Sequence, residues 1–370
     1  MMNRRDFLRS GAVLGVVGYA GLPVAVTAAA PKSAVGTLWL NWNENPLGLA
    51  PSAREAVAGA VDRANRYPDL VRAELATALA KKNGVQPENV VLGCGSTQIL
   101  QSIVLAAASP DATLVLAEPT FEAVLQYQRP LSYRIERVPL DARHAHDLQQ
   151  MKDRVARGPT VVYICNPNNP TATLTPSSEI DAWIEEAPET VLFAIDEAYY
   201  EYVDDARYAS ATKWVRARPN VVVTRTFSKI YAMAGMRLGY AFAHQSLARR
   251  LRQFLSQDNA NGLAIAAAQA CLEDGELLPR SRKVNAQAKS IAHSCLDDLG
   301  LEFLPSHANF LMHRVNGDLD RYIQRMRNRG IRVGRPFPPM LSYNRLSLGL
   351  PDEMKQWAAA LREFRLQGWV

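Results

Sequence analysis

Thr226-Phe227-Ser228-Lys229 places two hydroxyls one and three residues before a lysine, at the end of the apolar run Val221-Val222-Val223. Arg237 follows in the glycine-bounded segment Ala234-Gly235-Met236-Arg237-Leu238-Gly239-Tyr240. A lysine amine condenses with an aldehyde to a Schiff base, while hydroxyls and a guanidinium hold a phosphate. Together they suit pyridoxal phosphate, a phosphorylated aldehyde cofactor. Alone, a lysine after a buried strand is more often a solvated surface group.

Four other segments fit the same chemistry. Ile195-Asp196-Glu197-Ala198-Tyr199 follows the apolar run Val191 to Ile195 and sets a carboxylate at a strand end. Such a carboxylate keeps a pyridinium nitrogen protonated, and Tyr199 can donate to the ring oxygen. Asp196 could instead cap the next helix. Tyr163-Ile164-Cys165-Asn166-Pro167-Asn168-Asn169-Pro170-Thr171 leaves another strand through two Asn-Pro steps, where an asparagine amide can reach the ring oxygen or simply sit in a loop. Val90-Val91-Leu92-Gly93-Cys94-Gly95-Ser96-Thr97-Gln98 reads as strand, glycine turn and helix start, a cradle for phosphate. Arg66-Tyr67-Pro68-Asp69 reads as an exposed turn.

In order and spacing these segments resemble the fold type I pyridoxal phosphate enzymes, and most closely the histidinol-phosphate aminotransferase family. The resemblance runs from Leu40-Asn41-Trp42-Asn43-Glu44-Asn45-Pro46 to Arg345-Leu346-Ser347-Leu348-Gly349. It implies that Lys229 bonds the cofactor aldehyde, that Asp196 faces the ring nitrogen, and that Tyr199 and Asn169 face the ring oxygen. Gly95, Ser96, Thr97, Thr226, Ser228 and Arg237 would hold the phosphate, and Phe121 of Glu118-Pro119-Thr120-Phe121 would stack on the ring. Arg345, with Asn169 and Asn45, would bind the substrate. Tyr67 would reach the cofactor phosphate of a neighbouring subunit, which implies a homodimer with shared sites. The implied reaction moves an amino group between an amino donor and a 2-oxo acid. Decarboxylation, β-elimination, racemisation, or cofactor binding without turnover are alternatives on such a scaffold.

The chain departs from that family in three places. Asn-Pro-Thr-Gly ends here in Ala172, so the turn after Asn169 lacks its permissive glycine. The Pro-Tyr segment upstream of the asparagine-rich motif has no counterpart between Pro31 and Trp39. Gly330-Ile331-Arg332-Val333-Gly334-Arg335-Pro336-Phe337-Pro338-Pro339 shifts a second expected arginine out of register, leaving Arg335 as its nearest counterpart. Trp39 and Trp42 could line a pocket for an aromatic donor or serve only as packing. The expected donor is therefore an α-amino acid, aromatic and imidazole-bearing ones included, or a histidinol-phosphate-like amine, and histidinol phosphate itself does not follow from the resemblance.

Composition bounds the remaining possibilities. With 370 residues, 48% of them apolar, the chain can bury a large core. The net charge of +6 is spread without basic blocks or an aromatic-basic stripe, which gives nucleic-acid binding no support. Four scattered cysteines suit neither a disulfide framework nor zinc, and no metal is expected. Cys94 and Cys165 read as small buried hydrophobes, and the six histidines as loop or surface residues. Asn3-Arg4-Arg5-Asp6-Phe7-Leu8-Arg9 followed by an apolar run from Gly11 to about Val26 reads as a twin-arginine signal peptide over residues 1–30. The mature protein would then be periplasmic or secreted, and cytoplasmic if the signal is unused. No other segment is apolar enough to span a bilayer.

These residues must be positioned by alternating strands and helices. Val90 to Leu92, Thr113 to Leu116, Thr160 to Ile164, Val191 to Ile195, Val221 to Thr224 and Tyr240 to Phe242 read as strands, with helices such as Gln98 to Ala107 and Glu179 to Glu186 between them. Continuous apolar strands indicate an α/β fold with a sheet buried on both faces. With the resemblance, this implies a mainly parallel seven-stranded sheet in a large cofactor-binding domain over 59–276. A smaller α+β domain over 31–58 and 277–370 would hold the helix Leu277 to Leu299, the strands Asn309 to Arg314 and Arg345 to Leu348, and the helices Leu319 to Arg329 and Glu353 to Phe364.

Overall fold

The apolar runs do form strands. In the computed structural model, which describes residues 36–128, 131, 133–155 and 158–370, eleven strands follow one another among the described residues. They are β1 (Leu38–Leu40), β2 (Val90–Gly93), β3 (Thr113–Glu118), β4 (Arg134–Pro139), β5 (Thr160–Cys165), β6 (Val191–Asp196), β7 (Val221–Thr226), β8 (Gly239–Ala243), β9 (Phe310–Arg314), β10 (Ile331–Val333) and β11 (Tyr343–Ser347). The expected signal segment, residues 1–30, lies outside the described residues.

Seven strands make one sheet in the order β2-β8-β7-β6-β5-β3-β4. β8 runs antiparallel to both neighbours, and every other pair is parallel. Along β5, Val161, Tyr163 and Cys165 enter one buried cluster while Val162 and Ile164 enter another, so helices cover both faces. That double burial removes the polar alternation of a half-exposed strand. β4 was not anticipated: Arg134, Glu136 and Arg137 give it the charged character of an unpaired sheet edge.

The long helix Leu277–Asp298 leads into the carboxyl-terminal part. There β9 pairs antiparallel with β11, and β1 pairs parallel with β10. A separate core cluster joins Leu40, Leu296, Leu311, Tyr322 and Trp357, drawn from these strands and the helices Leu319–Asn328 and Pro351–Leu366.

Two residue expectations are corrected. Cys94 is exposed, because it is the residue at the tight start of the helix Gly95–Ala106 rather than part of β2. His146 and His313 are buried core residues, His146 bonded to Thr175 and His313 set edge-on to Tyr322 and Trp357.

Strand alternation also sorts charge at the sheet's carboxyl edge. Asp196 and Thr224 face one side, while the next residues, Glu197 and Arg225, form a fully buried ion pair at 2.9 Å on the other. The Arg225 guanidinium lies 3.8 Å over the Tyr200 ring and donates to Asn83 and Ser210. Near this pair, burial pushes the Glu201 carboxyl up to about 7, with Arg225 opposing the shift. A raised carboxyl adds stability below its ordinary range and loses it as pH rises through the folded value. Glu201→Gln should therefore leave the melting temperature near wild type at about pH 5 and raise it by a few degrees at about pH 8.5, an effect of at most about 3 kcal/mol. Scanning calorimetry at both pH values is the check; an equal gain at each would sink the assignment.

Candidate active site

The carboxyl ends of β5, β6 and β7 stand side by side, with Cys165 opposite Asp196 and Asp196 opposite Thr224. A cavity of about 590 Å³ opens there, at the edge where parallel sheets bind ligands. Lys229, Asp196, Tyr199, Ser96, Thr97, Phe121, Asn169, Thr226, Ser228, Arg237 and Arg345 all line it.

Lys229 leaves the turn after β7 half-buried, and its Nζ donates to the Asn43 carbonyl at 3.2 Å. Burial lowers its pKa to about 8, helped by the Arg345 guanidinium, with Glu44 and Asp196 pulling the other way. A substantial neutral fraction near pH 8 is what a nucleophilic amine needs. Asp196 is buried at the end of β6; Tyr163 donates to its Oδ2 at 2.9 Å and Thr224 to its Oδ1 at 3.1 Å. Burial nonetheless raises the Asp196 carboxyl, against those two bonds and Lys229. Among the described residues this buried carboxyl has hydroxyl donors but no hydrogen-bonded cation, the environment a ring N–H⁺ would complete. Tyr199 accepts from Asn43 Nδ2 at 3.1 Å and packs edge-on to Phe310, and burial pushes its hydroxyl up.

The opposite wall gathers groups that suit a phosphate. Gly95, Ser96 and Thr97 begin a twelve-residue helix, so free backbone amides and the positive end of its dipole face the cavity. Gly95 has a φ of +74°, and a Cβ there would meet the Arg237 guanidinium. A Cβ on Gly239 would meet the Ser96 amide, so β8 can lie against the helix start only as glycine. Thr226 donates to Ser228 at 2.9 Å, setting two hydroxyls beside this cradle. Helix amides, hydroxyls, a guanidinium, a buried carboxylate and an amine together fit pyridoxal phosphate.

On the remaining side Arg345 projects from β11, buried, donating to Asn169 Oδ1 and to the Asn41 carbonyl, each at 2.7 Å. Its Nε is buried without a partner, and it has no carboxylate within salt-bridge distance among the described residues. Burial lowers its pKa to about 10.

Three predicted residues do not line the cavity, Gly95 among them, which lies against the Arg237 guanidinium at the helix start. Asn45 does not line the cavity; its amide donates to the Ile230 carbonyl and Ser281, tying the asparagine motif to the long helix. Tyr67 is 82% exposed in its turn and outside the cavity of its own chain. The missing glycine at Ala172 is met by Ala172 itself at a φ of 61°, a conformation that costs an ordinary residue about 1–2 kcal/mol. Sequence reasoning passed over Asn43, Tyr163, Thr224 and Glu122. Asn43 is the hub among them, exchanging hydrogen bonds with Ser347, donating to Tyr199 and offering its carbonyl to Lys229 and Asn309.

Comparison with known proteins agrees with this geometry. Residues 35–361 match the family Aminotransferase class I and II. The chain belongs to that family. It is 36% identical to histidinol-phosphate aminotransferase 1 of Nitrosococcus oceani, over 89% of this chain and 90% of that one. Among solved structures, a protein of Erwinia carotovora atroseptica assigned as a histidinol-phosphate aminotransferase superposes with a TM-score of 0.89 at 36% identity, covering 90% of this chain and 97% of its own. The histidinol-phosphate aminotransferase of Sinorhizobium meliloti, in complex with pyridoxal-5'-phosphate, gives 0.84 at 28% identity, covering 90% and 91%. The protein is a pyridoxal phosphate-dependent aminotransferase. Bound there, the cofactor supplies an aldehyde to capture the amine and a ring that draws electrons from the α-carbon.

Proposed function

We propose that this aminotransferase takes its amino group from a free α-amino acid with an aromatic or imidazole side chain, and that Arg345 receives the donor carboxylate. The observation that carries this is Arg345 itself, a buried guanidinium that lines the cavity and has no carboxylate partner among the described residues. A carboxylate would supply the missing counter-charge in a bidentate pair. Phe121, Trp42 and Phe337 line the same cavity and would take an aromatic side chain. Lys229 would move the proton at the donor α-carbon, Asp196 would hold the ring nitrogen protonated, Tyr199 and Asn169 would face the ring oxygen, and Gly95 to Thr97, Thr226, Ser228 and Arg237 would hold the phosphate.

A panel of amino donors, histidinol phosphate included, tests this by single-turnover conversion of the cofactor. Arg345→Gln should lower kcat/KM for free amino acids by about a hundredfold to a thousandfold, about 3–4 kcal/mol. It should also raise the Lys229 pKa, since Arg345 is one of the charges lowering it. A hundredfold preference of the wild type for histidinol phosphate over every free amino acid would overturn the donor proposal.

The chain would divide into a large domain over 59–276 and a small one over 31–58 and 277–370, with residues 1–30 removed on export by the twin-arginine route. Amino-terminal sequencing of the mature protein tests the last point. It would work as a homodimer, with Tyr67 completing the partner's phosphate site. Tyr67 and Leu70 are each more than four-fifths exposed on one turn, which suits surface that a second copy covers. Mixing Lys229→Ala with Tyr67→Ala subunits should give heterodimers with one undamaged site and activity above that of either parent. Full activity from a monomer at micromolar concentration would refute this.

A further inference from the structure

Two guanidiniums stand at the donor side of the cavity, and they are not equivalent. Arg335 and Arg345 lie over the same Phe337 ring, at 4.2 and 4.6 Å from its centre. Among the described residues Arg345 has no carboxylate partner, whereas Arg335 donates to Glu122 at 2.5 Å. Glu122 follows Phe121 in the turn after β3, so the pair crosses the cavity from the sheet to the segment between β10 and β11. Both side chains are about half exposed, which makes the pair easy to break and unimportant for holding the fold.

From this asymmetry we infer that Glu122 is a specificity-determining residue, selecting singly charged donors over donors that carry a phosphate ester. A carboxylate needs one guanidinium, and Arg345 is available. A phosphate dianion gains most from two, and Glu122 both occupies the second and presents its own negative charge to the incoming group. The inference rests on the proposed donor class but turns on a different residue. Glu122 touches neither Lys229 nor Asp196 through any hydrogen bond described, so its replacement leaves the proton-transfer groups in place.

L-Histidine and L-histidinol phosphate form a matched pair of probes, sharing the imidazole and differing in carboxylate against phosphate ester. Apparent affinity by calorimetry and single-turnover kcat/KM should be measured on the holoenzyme for wild type, Glu122→Gln, Arg335→Gln and the double variant. Glu122→Gln should improve binding and kcat/KM for histidinol phosphate by about tenfold and leave histidine within about twofold. The gain should vanish in the double variant and shrink as salt rises from about 0.02 to about 0.5 M. Equal changes for both probes, or a gain that survives loss of Arg335, would overturn the inference. Should the wild type prefer histidinol phosphate outright, the donor proposal fails, while this four-protein cycle still decides what Glu122 does.

Discussion

Lys229→Ala should lower turnover by about 100,000-fold or more while the folded protein survives. Lys229 is the one lysine lining the described cavity, so no neighbouring amine can take its place. The expected loss combines two proposed roles of Lys229, bonding the aldehyde and carrying the α-proton; general acid–base catalysis alone is worth about 100- to 10,000-fold. Structure should be little affected, because the Nζ makes one described hydrogen bond, to the Asn43 carbonyl, which also accepts from Asn309. The linkage sign supports this. With a pKa lowered to about 8, Lys229 binds its proton less readily in the folded chain than in the unfolded one. The cofactor-free protein therefore carries a penalty from Lys229 below about pH 8, relieved as pH rises toward the ordinary lysine range. Lys229→Ala removes that penalty, so its cofactor-free melting temperature at about pH 7 should equal or exceed that of wild type. Borohydride reduction of the wild-type holoenzyme with peptide mapping locates the cofactor; a label on Lys213 or Lys283 would refute the assignment.

The sheet and most of its site-forming ends were legible because burial on both faces leaves uninterrupted apolar runs, each ending in a polar residue at the carboxyl edge. Asp196 and Lys229 declare themselves in this way, and Arg237 by trailing the lysine on a glycine-bounded segment before β8. Tyr163 and Thr224 do not: within apolar strands they look like filler, and only the register that sets Cys165 against Asp196 and Asp196 against Thr224 turns them toward one carboxylate. The asparagine motif misled in a different way. Asn43 sits at a φ of 54°, so the chain turns there and carries Asn45 away toward Ile230 and Ser281. Nothing in the residue types of Asn41, Asn43 and Asn45 distinguishes which of them meets the lysine. Glu122 and Arg335 are 213 residues apart and meet only when the segment before β11 comes to the turn after β3. Charged β4 and buried His313 fail for one reason as well, since sheet-edge position and core packing, not residue type, decide their exposure.

Asp196→Asn should cost about 1,000- to 10,000-fold in kcat/KM, about 4–6 kcal/mol, while keeping the shape of the site. Asparagine matches aspartate in size, and its one oxygen can still accept from Tyr163 or Thr224. What it lacks is the negative charge that, in the proposed role of Asp196, would keep the ring nitrogen protonated and so support proton removal by Lys229. One of the two hydroxyl donors must also turn or go unpaired against an amide NH₂, a cost of about 1–3 kcal/mol in a buried site. Stability and catalysis should therefore move in different ways with pH. In the cofactor-free protein the Asp196 carboxyl is raised by burial, so its contribution to stability is present in acid and falls away as pH rises through the folded value. Asp196→Asn should abolish that part of the pH dependence, whereas its catalytic defect in the holoenzyme should persist across the working range, because no pH restores a charge the side chain cannot carry. Asp196→Glu, which keeps the charge but displaces it by one methylene, should recover part of the rate. Steady-state kinetics of the three proteins, with thermal melts of their cofactor-free forms, separate these effects; an Asn variant within about tenfold of wild type would mean that Asp196 does not face the ring nitrogen.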